Sequence, residues 1–232
     1  MNESNFKENL PKDTWQLLSE RLQPERREKM EYVASKRTRK VRLILQDVHD
    51  PHNVAACLRS AEALGVLDID IITLKAPKNK SSAARGTSHW LNIRTWPSIE
   101  ECCKHLKAEG YSIAAGFPEA QADRTLYELN VKKPIALLFG NEHQGIDKKW
   151  LTHIDQPFTI PTVGMVESLN ISVSAAISMS EVTRSSRKYL GDETYYLSSD
   201  EQEQVLGNWL YSRTRQADAE IALRRTRAPL PG

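Results

Sequence analysis

No stretch of the 232-residue chain approaches the roughly 20 consecutive apolar residues that a membrane-spanning helix needs. A soluble protein with no membrane partner is expected. The first residues also lack the succession of basic, apolar and small residues that marks a secretory signal, which points to a cytoplasmic address. Cysteine is scarce: Cys57, Cys102 and Cys103 form neither an even disulfide set nor a metal-type spacing, and they read as core filler. His49, His52, His89 and His143 have no cysteine or carboxylate at zinc-like spacing, so no metal is expected. A glycine fingerprint following a strand, with an acidic residue some way downstream, is absent, which leaves a nicotinamide dehydrogenase unsupported. The loop Gly140-Asn141-Glu142-His143-Gln144-Gly145 carries the two glycines of a phosphate-binding P-loop. Ile146 and Asp147 stand where that chemistry needs Lys and then Ser or Thr, so nucleoside triphosphate chemistry is excluded too.

What is present is enough for one main domain. Hydrophobic residues make up 40% of the chain and charged residues 27%, which suits a single substantial core with short extensions. The formal net charge is only +2, but it is unevenly placed. Arg21, Arg26, Arg27, Lys29, Lys36, Arg37, Arg39 and Lys40 crowd one stretch against Glu25, Glu28 and Glu31, and Arg213, Arg215, Arg224, Arg225 and Arg227 gather near the other end. Flanking basic clusters of this kind can neutralise phosphates; a solvated helix face is the alternative reading.

The hydrophobic pattern alternates between strand and helix. Val41 to Leu45, Ile69 to Leu74, Ile113 to Ala115, Ile135 to Phe139 and Phe158 to Ile160 read as strands. Leu91, Ile93 and Thr95 alternate with Asn92, Arg94 and Trp96 as a half-buried strand. Helical spacing runs from Asn53, as N-cap, to a stop at Gly65, and from Ser98, with Glu101 as its capping partner, to Gly110. Asn170 to Tyr189 and Ser199 to Arg213 also read as helices. This alternation predicts an α/β domain with a mainly parallel sheet, whose ligands bind beyond the carboxyl ends of the strands. The loops to inspect therefore follow Leu45, Ala115, Phe139 and Ile160. The last of these contains Val163, Gly164, Met165 and Val166, an apolar run that a solvated turn has no reason to carry and that is expected to line or cover something.

Three segments, Asn53 through Arg59, Gly140-Asn141-Glu142 with Gly145, and Ile160-Pro161 through Ser168-Leu169-Asn170-Ile171-Ser172-Val173, resemble the three signature motifs of the SPOUT-class 2′-O-methyltransferases of the TrmH family. Their order and strand-end placement also agree, over about residues 41 to 185. The resemblance implies a parallel-sheet α/β fold whose C-terminal segment threads a trefoil knot. It implies a basic helical arm over residues 1–40, a methyltransferase domain over 41–190 and a helical extension over 191–232.

The function so implied is S-adenosylmethionine-dependent methylation of an RNA ribose 2′-hydroxyl by a homodimer. The adenosine would rest against Gly116, Gly140, Ile160, Met165 and Leu169. Arg59 matches the family's catalytic arginine. Because a guanidinium stays protonated, binding a phosphate and polarising the hydroxyl suits it better than acting as a base. Asn53, Glu142, Ser168 and Asn170 match the other polar site residues, and each is also open to a simple capping or turn role. Gly116 departs from tRNA-modifying members, which often place threonine there. The short arm, the helix containing Val205, Leu206, Trp209 and Leu210, and the segment Ser82 to Trp90 resemble the enzymes acting on the D-loop guanosine at tRNA position 18. A ribosomal RNA methyltransferase and a catalytically silent RNA-binding protein are the alternatives.

Overall fold

The computed structural model describes residues 3–7, 9–73, 86–118, 122–141, 143–166 and 168–227. Glu142, Leu74 and Ser82 to Arg85 therefore lie outside the described residues. The chain divides into two compact units. Residues 1–4 and 38–195 form a sheet unit, and residues 5–37 and 196–232 form a helical unit.

In the sheet unit, seven strands are ordered β1-β4-β3-β2-β6-β5-β7. These are β1 (Glu3–Ser4), β2 (Val41–Gln46), β3 (Asp68–Ile72), β4 (Asn92–Trp96), β5 (Ser112–Gly116), β6 (Ile135–Phe139) and β7 (Gln156–Phe158). All neighbours run parallel except the short edge strand β1, which is antiparallel to β4. Every residue of β2 and β6 is buried, as expected at the centre of a sheet covered on both faces; β6 is a continuous apolar run, and β2 also buries Arg42 and Gln46.

The period of two divides the core. Val41, Leu43 and Leu45 face one layer with Cys57 and Leu58 of α3 (Pro51–Ala63) and Ala175, Met179 and Val182 of α5 (Ile171–Leu190). Ile44 faces the other, with Cys102, Cys103 and Leu106 of α4 (Ile99–Ala108) and Trp150. Each such fully buried aliphatic side chain contributes about 1.5–3 kcal/mol.

Three local readings need correction. Trp96 does not sit on an open outer face. It is buried, and its indole donates to Asp70 Oδ1 at 2.6 Å, because α4 covers that side of β4. The α3 helix starts ahead of Asn53: Asp50 caps it by accepting from His52 N at 2.8 Å, and Pro51, with its fixed φ, occupies the first turn. The last strand ends at Phe158 and not at Ile160. Beyond it the chain pairs elsewhere, Thr159 N donating to Arg124 O and Leu126 N to Thr159 O.

A buried ionic cluster underlies α4. Arg42 lies 3.7 Å from Asp68, 3.5 Å from Asp70 and 3.2 Å from Glu109, with its guanidinium over the Tyr111 ring. Arg39 donates to both oxygens of Asp68. Burial pushes the Asp70 carboxyl upward, with Arg42 and the Trp96 indole opposing it. Burial works against the Arg42 charge as well, but Asp68 and Asp70 outweigh it and hold the guanidinium above its ordinary range.

The helical unit contains α1 (Thr14–Ser19), α2 (Pro24–Ser35), α7 (Ser199–Tyr211) and α8 (Ala217–Arg227); the short α6 (Asp192–Tyr195) belongs to the sheet unit. Trp15, Leu18, Val205, Leu206, Trp209, Leu210 and Ile221 form its interior. Much of its positive charge is internally committed: Arg37 is buried over Trp209, Arg21 pairs with Glu220, Arg224 with Glu20 and Arg225 with Asp13.

Candidate active site at the carboxyl end of the sheet

From β2 the chain moves outward through β3 to β4. It then crosses to β5 on the other side of β2, and β6 fills the place between them, so β2 and β6 flank the point where the winding reverses. Crevices at such switch points, beyond the carboxyl ends of the strands, are where open α/β sheets bind ligands.

The loops there are tightly braced. Asp47, following β2, adopts φ 50°, and its carbonyl accepts from Asn141 Nδ2 at 2.8 Å. Asn141 Oδ1 accepts from His143 N at 2.8 Å and Gln144 N at 3.0 Å, while its backbone exchanges two 2.9 Å bonds with Gly145. Gln46 Oε1 accepts from Asp147 N at 2.8 Å. Gly140 is required by this turn, since a Cβ there would lie 2.3 Å from the Gly145 carbonyl oxygen. Gly145 itself has φ 68°, a left-handed conformation natural to glycine. Gln46 and Asp50, and the bracing role of Asn141 within its motif, are what sequence reasoning missed here. An Asn opening a two-glycine loop is the available signal for such a side-chain turn.

Gly116, Gly140 and Ile160 follow or end the neighbouring strands β5, β6 and β7, and so come together at one end of the sheet. Ile160 packs against the core that holds α3 and α5. At Gly116 a Cβ would start 3.0 Å from Phe139 Cε1, so a threonine would require that ring to shift. Asn170 caps α5, its Oδ1 accepting from Ser172 N at 2.8 Å and Ser172 Oγ at 2.7 Å. Its Nδ2 donates to Asn53 Oδ1 at 3.1 Å, which joins the first turn of α3 to the start of α5.

Other expected residues stand apart. Met165 and Val163 are fully exposed, at 101% and 107%, with Val166 also exposed, so the apolar loop covers nothing among the described residues. Ser168 is exposed and Leu169 half-buried. Arg59 is exposed on α3, six positions beyond Asn53 and thus about 240° around the helix axis. The Asn53–Asn170 pair and Arg59 therefore face different directions. No group of three or more His, Cys, Asp or Glu able to hold a metal occurs among the described residues, and none of their helices is long and apolar enough to cross a membrane.

This arrangement of loops has counterparts among known proteins. The family model described as "SpoU rRNA Methylase family" matches residues 40–180. The chain belongs to the SpoU methylase family. Its match begins just before β2 and ends within α5, enclosing the switch-point crevice and all ten residues singled out by motif. A tRNA (guanosine(18)-2′-O)-methyltransferase of Thermus thermophilus is 33% identical over 186 residues, covering 80% of this chain and 95% of that protein. The enzyme of the same name from Escherichia coli is 32% identical over 164 residues, 70% of this chain and 71% of that one. Among solved structures, the A. aeolicus TrmH/SpoU tRNA modifying enzyme superposes with a TM-score of 0.74 at 27% identity, over 83% of this chain and 98% of that one. In this SpoU-family chain the helical unit, residues 5–37 and 196–232, lies outside the family match.

Proposed function

We propose that this chain methylates the ribose 2′-hydroxyl of an RNA guanosine, with the D-loop guanosine at tRNA position 18 as its target and S-adenosylmethionine as methyl donor. The observation that carries the reading is the convergence of Gly116, Gly140 and Ile160 at neighbouring strand ends beside the Asn53–Asn170 pair, within a family whose relatives bear that reaction in their names. The residues suit the donor. Exposed Val163, Met165 and Val166 offer apolar cover for a purine, and the loops around Gly140 and Ile160 offer backbone donors and acceptors for its edge.

When bound, S-adenosylmethionine supplies an electrophilic methyl on a positively charged sulfur. The protein's remaining task is to hold the 2′-oxygen in line with that methyl and to let its proton leave as the new C–O bond forms. Arg59 binds the adjacent phosphate and polarises the hydroxyl, and Asn53, Ser168 and Asn170 orient the ribose. Glu142 is assigned to the same site by its motif. Arg59 turns away from Asn53 and Asn170 of its own chain, which supports a homodimer in which it serves the partner's crevice. Exposed Val163 and Met165 on the loop, with Val173 and Ile177 on α5, supply apolar surface for that pairing. The reading carries with it a trefoil knot in the segment after β7, a cytoplasmic location, and RNA-contacting roles for residues 1–40 and 191–232 around a catalytic domain spanning 41–190.

The test incubates the protein with labelled S-adenosylmethionine and, separately, total tRNA and ribosomal RNA, then maps the labelled nucleoside by digestion and mass spectrometry. We expect 2′-O-methylguanosine at the D-loop. Label in ribosomal RNA supports the second reading, which the description of the matched family favours. Cofactor binding with no transfer to any RNA would leave a non-catalytic binder.

A further inference from the structure

At the opposite end of the sheet, by the amino ends of β5, β6 and β7, lies an open cleft of about 640 Å³. Its frame is polar and internally satisfied. Asp155 Oδ2 accepts from Ile113 N at 2.8 Å. Gln156 clamps the segment before β6, accepting from Asn130 N at 2.8 Å and donating to Ser112 Oγ at 3.0 Å. Arg124 is committed to Asp123 at 3.0 Å, and the nearby Glu128 carboxylate is held by Thr125 N and Oγ1.

Three cations are left over. Lys107, from the last turn of α4, and Lys132 and Lys133, from the loop leading into β6, line the cleft, are exposed, and have no ion-pair partner among the described residues. Against them the lining sets one carboxylate, Asp155, which leaves the cleft net positive, and like charges gathered from separate elements in this way favour a polyanion. The cleft has no flat apolar wall for a base. Its one aromatic, Tyr111, is buried, with its hydroxyl donating to Arg39 O and its ring covered by Arg42. Recognition there is of phosphates and carries no sequence information.

We propose that this cleft is a second RNA-backbone contact, in which Lys107, Lys132 and Lys133 hold phosphates a strand length, about 17 Å, from the methyl-transfer crevice. The proposal rests on the reading of the chain as an RNA methyltransferase. It assigns the three lysines to docking of the folded RNA and gives them no part in the reaction.

The test compares full-length wild type with the triple variant Lys107→Gln, Lys132→Gln, Lys133→Gln and with Lys132→Glu, Lys133→Glu. Binding of an in vitro transcribed tRNA is followed by fluorescence anisotropy between 50 and 200 mM salt. In the triple variant we expect affinity to fall by at least about tenfold and the slope of log affinity against log salt to lessen by about 3, roughly one per lysine. Cofactor affinity and the single-turnover rate at saturating RNA should be unchanged. If wild type methylates RNA and both variants match its affinity and salt slope, the cleft assignment fails and the enzymatic reading stands. If wild type binds no RNA, both fail together. If the variants keep RNA affinity but lose binding of a poly-glutamate probe, the cleft belongs to an acidic protein and the proposal is overturned.

Discussion

Arg42 and Arg59 stand on consecutive elements of the sheet unit, in opposite circumstances. Arg42 is sealed beneath α4, where Asp68, Asp70 and Glu109 answer its charge and the Tyr111 ring lies beneath it. Arg59 projects from α3 into solvent, turned away from strand-end loops whose neutral polar groups are already bonded to one another. The buried cluster spends its charges on the fold. The strand-end loops keep a rigid frame, and Arg59 stays exposed on another face of α3, as the proposed phosphate contact in a partner's site requires.

The largest effect that separates the two regions is on rate. Arg59→Ala should slow single-turnover methyl transfer on the order of 10³-fold, about 4 kcal/mol in the barrier, with unchanged cofactor affinity and melting temperature. Equal loss of cofactor binding would move Arg59 from the RNA to the cofactor.

Arg42→Met should do the converse, removing about 3–5 kcal/mol of stability in denaturant titrations by stranding buried carboxylates. Its pH dependence sharpens the contrast. Burial raises the Asp70 carboxyl in the folded state, so the penalty is fully present above its folded value and absent below the unfolded value near 3.9. The variant should therefore regain stability as the pH falls from 7 toward about 4. A monotonic loss on acidification would show that Asp70 is not the stranded group.

Smaller effects probe the frame of the crevice. Gly140→Ala should cost about 1–3 kcal/mol in thermal unfolding and weaken cofactor binding by calorimetry, because its Cβ meets the Gly145 carbonyl. Asn170→Ala should cost about 1 kcal/mol through loss of the α5 cap and release Asn53. The least change is expected at the cysteines. Burial pushes the Cys103 thiol up to about 12 and raises Cys102 as well, so alkylation at neutral pH should label none of the three until denaturant is added.

Much of the sheet unit was legible because its central strands are mostly apolar and its helices carry clear caps at Ser98 and Asn170. Trp96 was not, since alternation along one strand carries no information about a helix that covers its second face. The start of α3 shifted because Asp50 followed by Pro51 outcompetes Asn53 for the cap, freeing Asn53 to meet Asn170. Nor could local pattern show that the two ends of the chain fold together, because α1 and α7 meet only in three dimensions. At the site, the motifs located Gly140 and Asn170. They contained Asn141 but not its bracing role, because its side chain bonds a carbonyl far away in sequence.

With the donor bound at the carboxyl end of the sheet, as proposed, hydrogen exchange in the presence of S-adenosylmethionine should show protection of peptides spanning Gly116, Gly140 to Gly145 and Ile160 to Asn170, with none at Asn130 to Pro134. Protection confined to the amino-end loops, or none at all under saturating cofactor, would place the donor elsewhere.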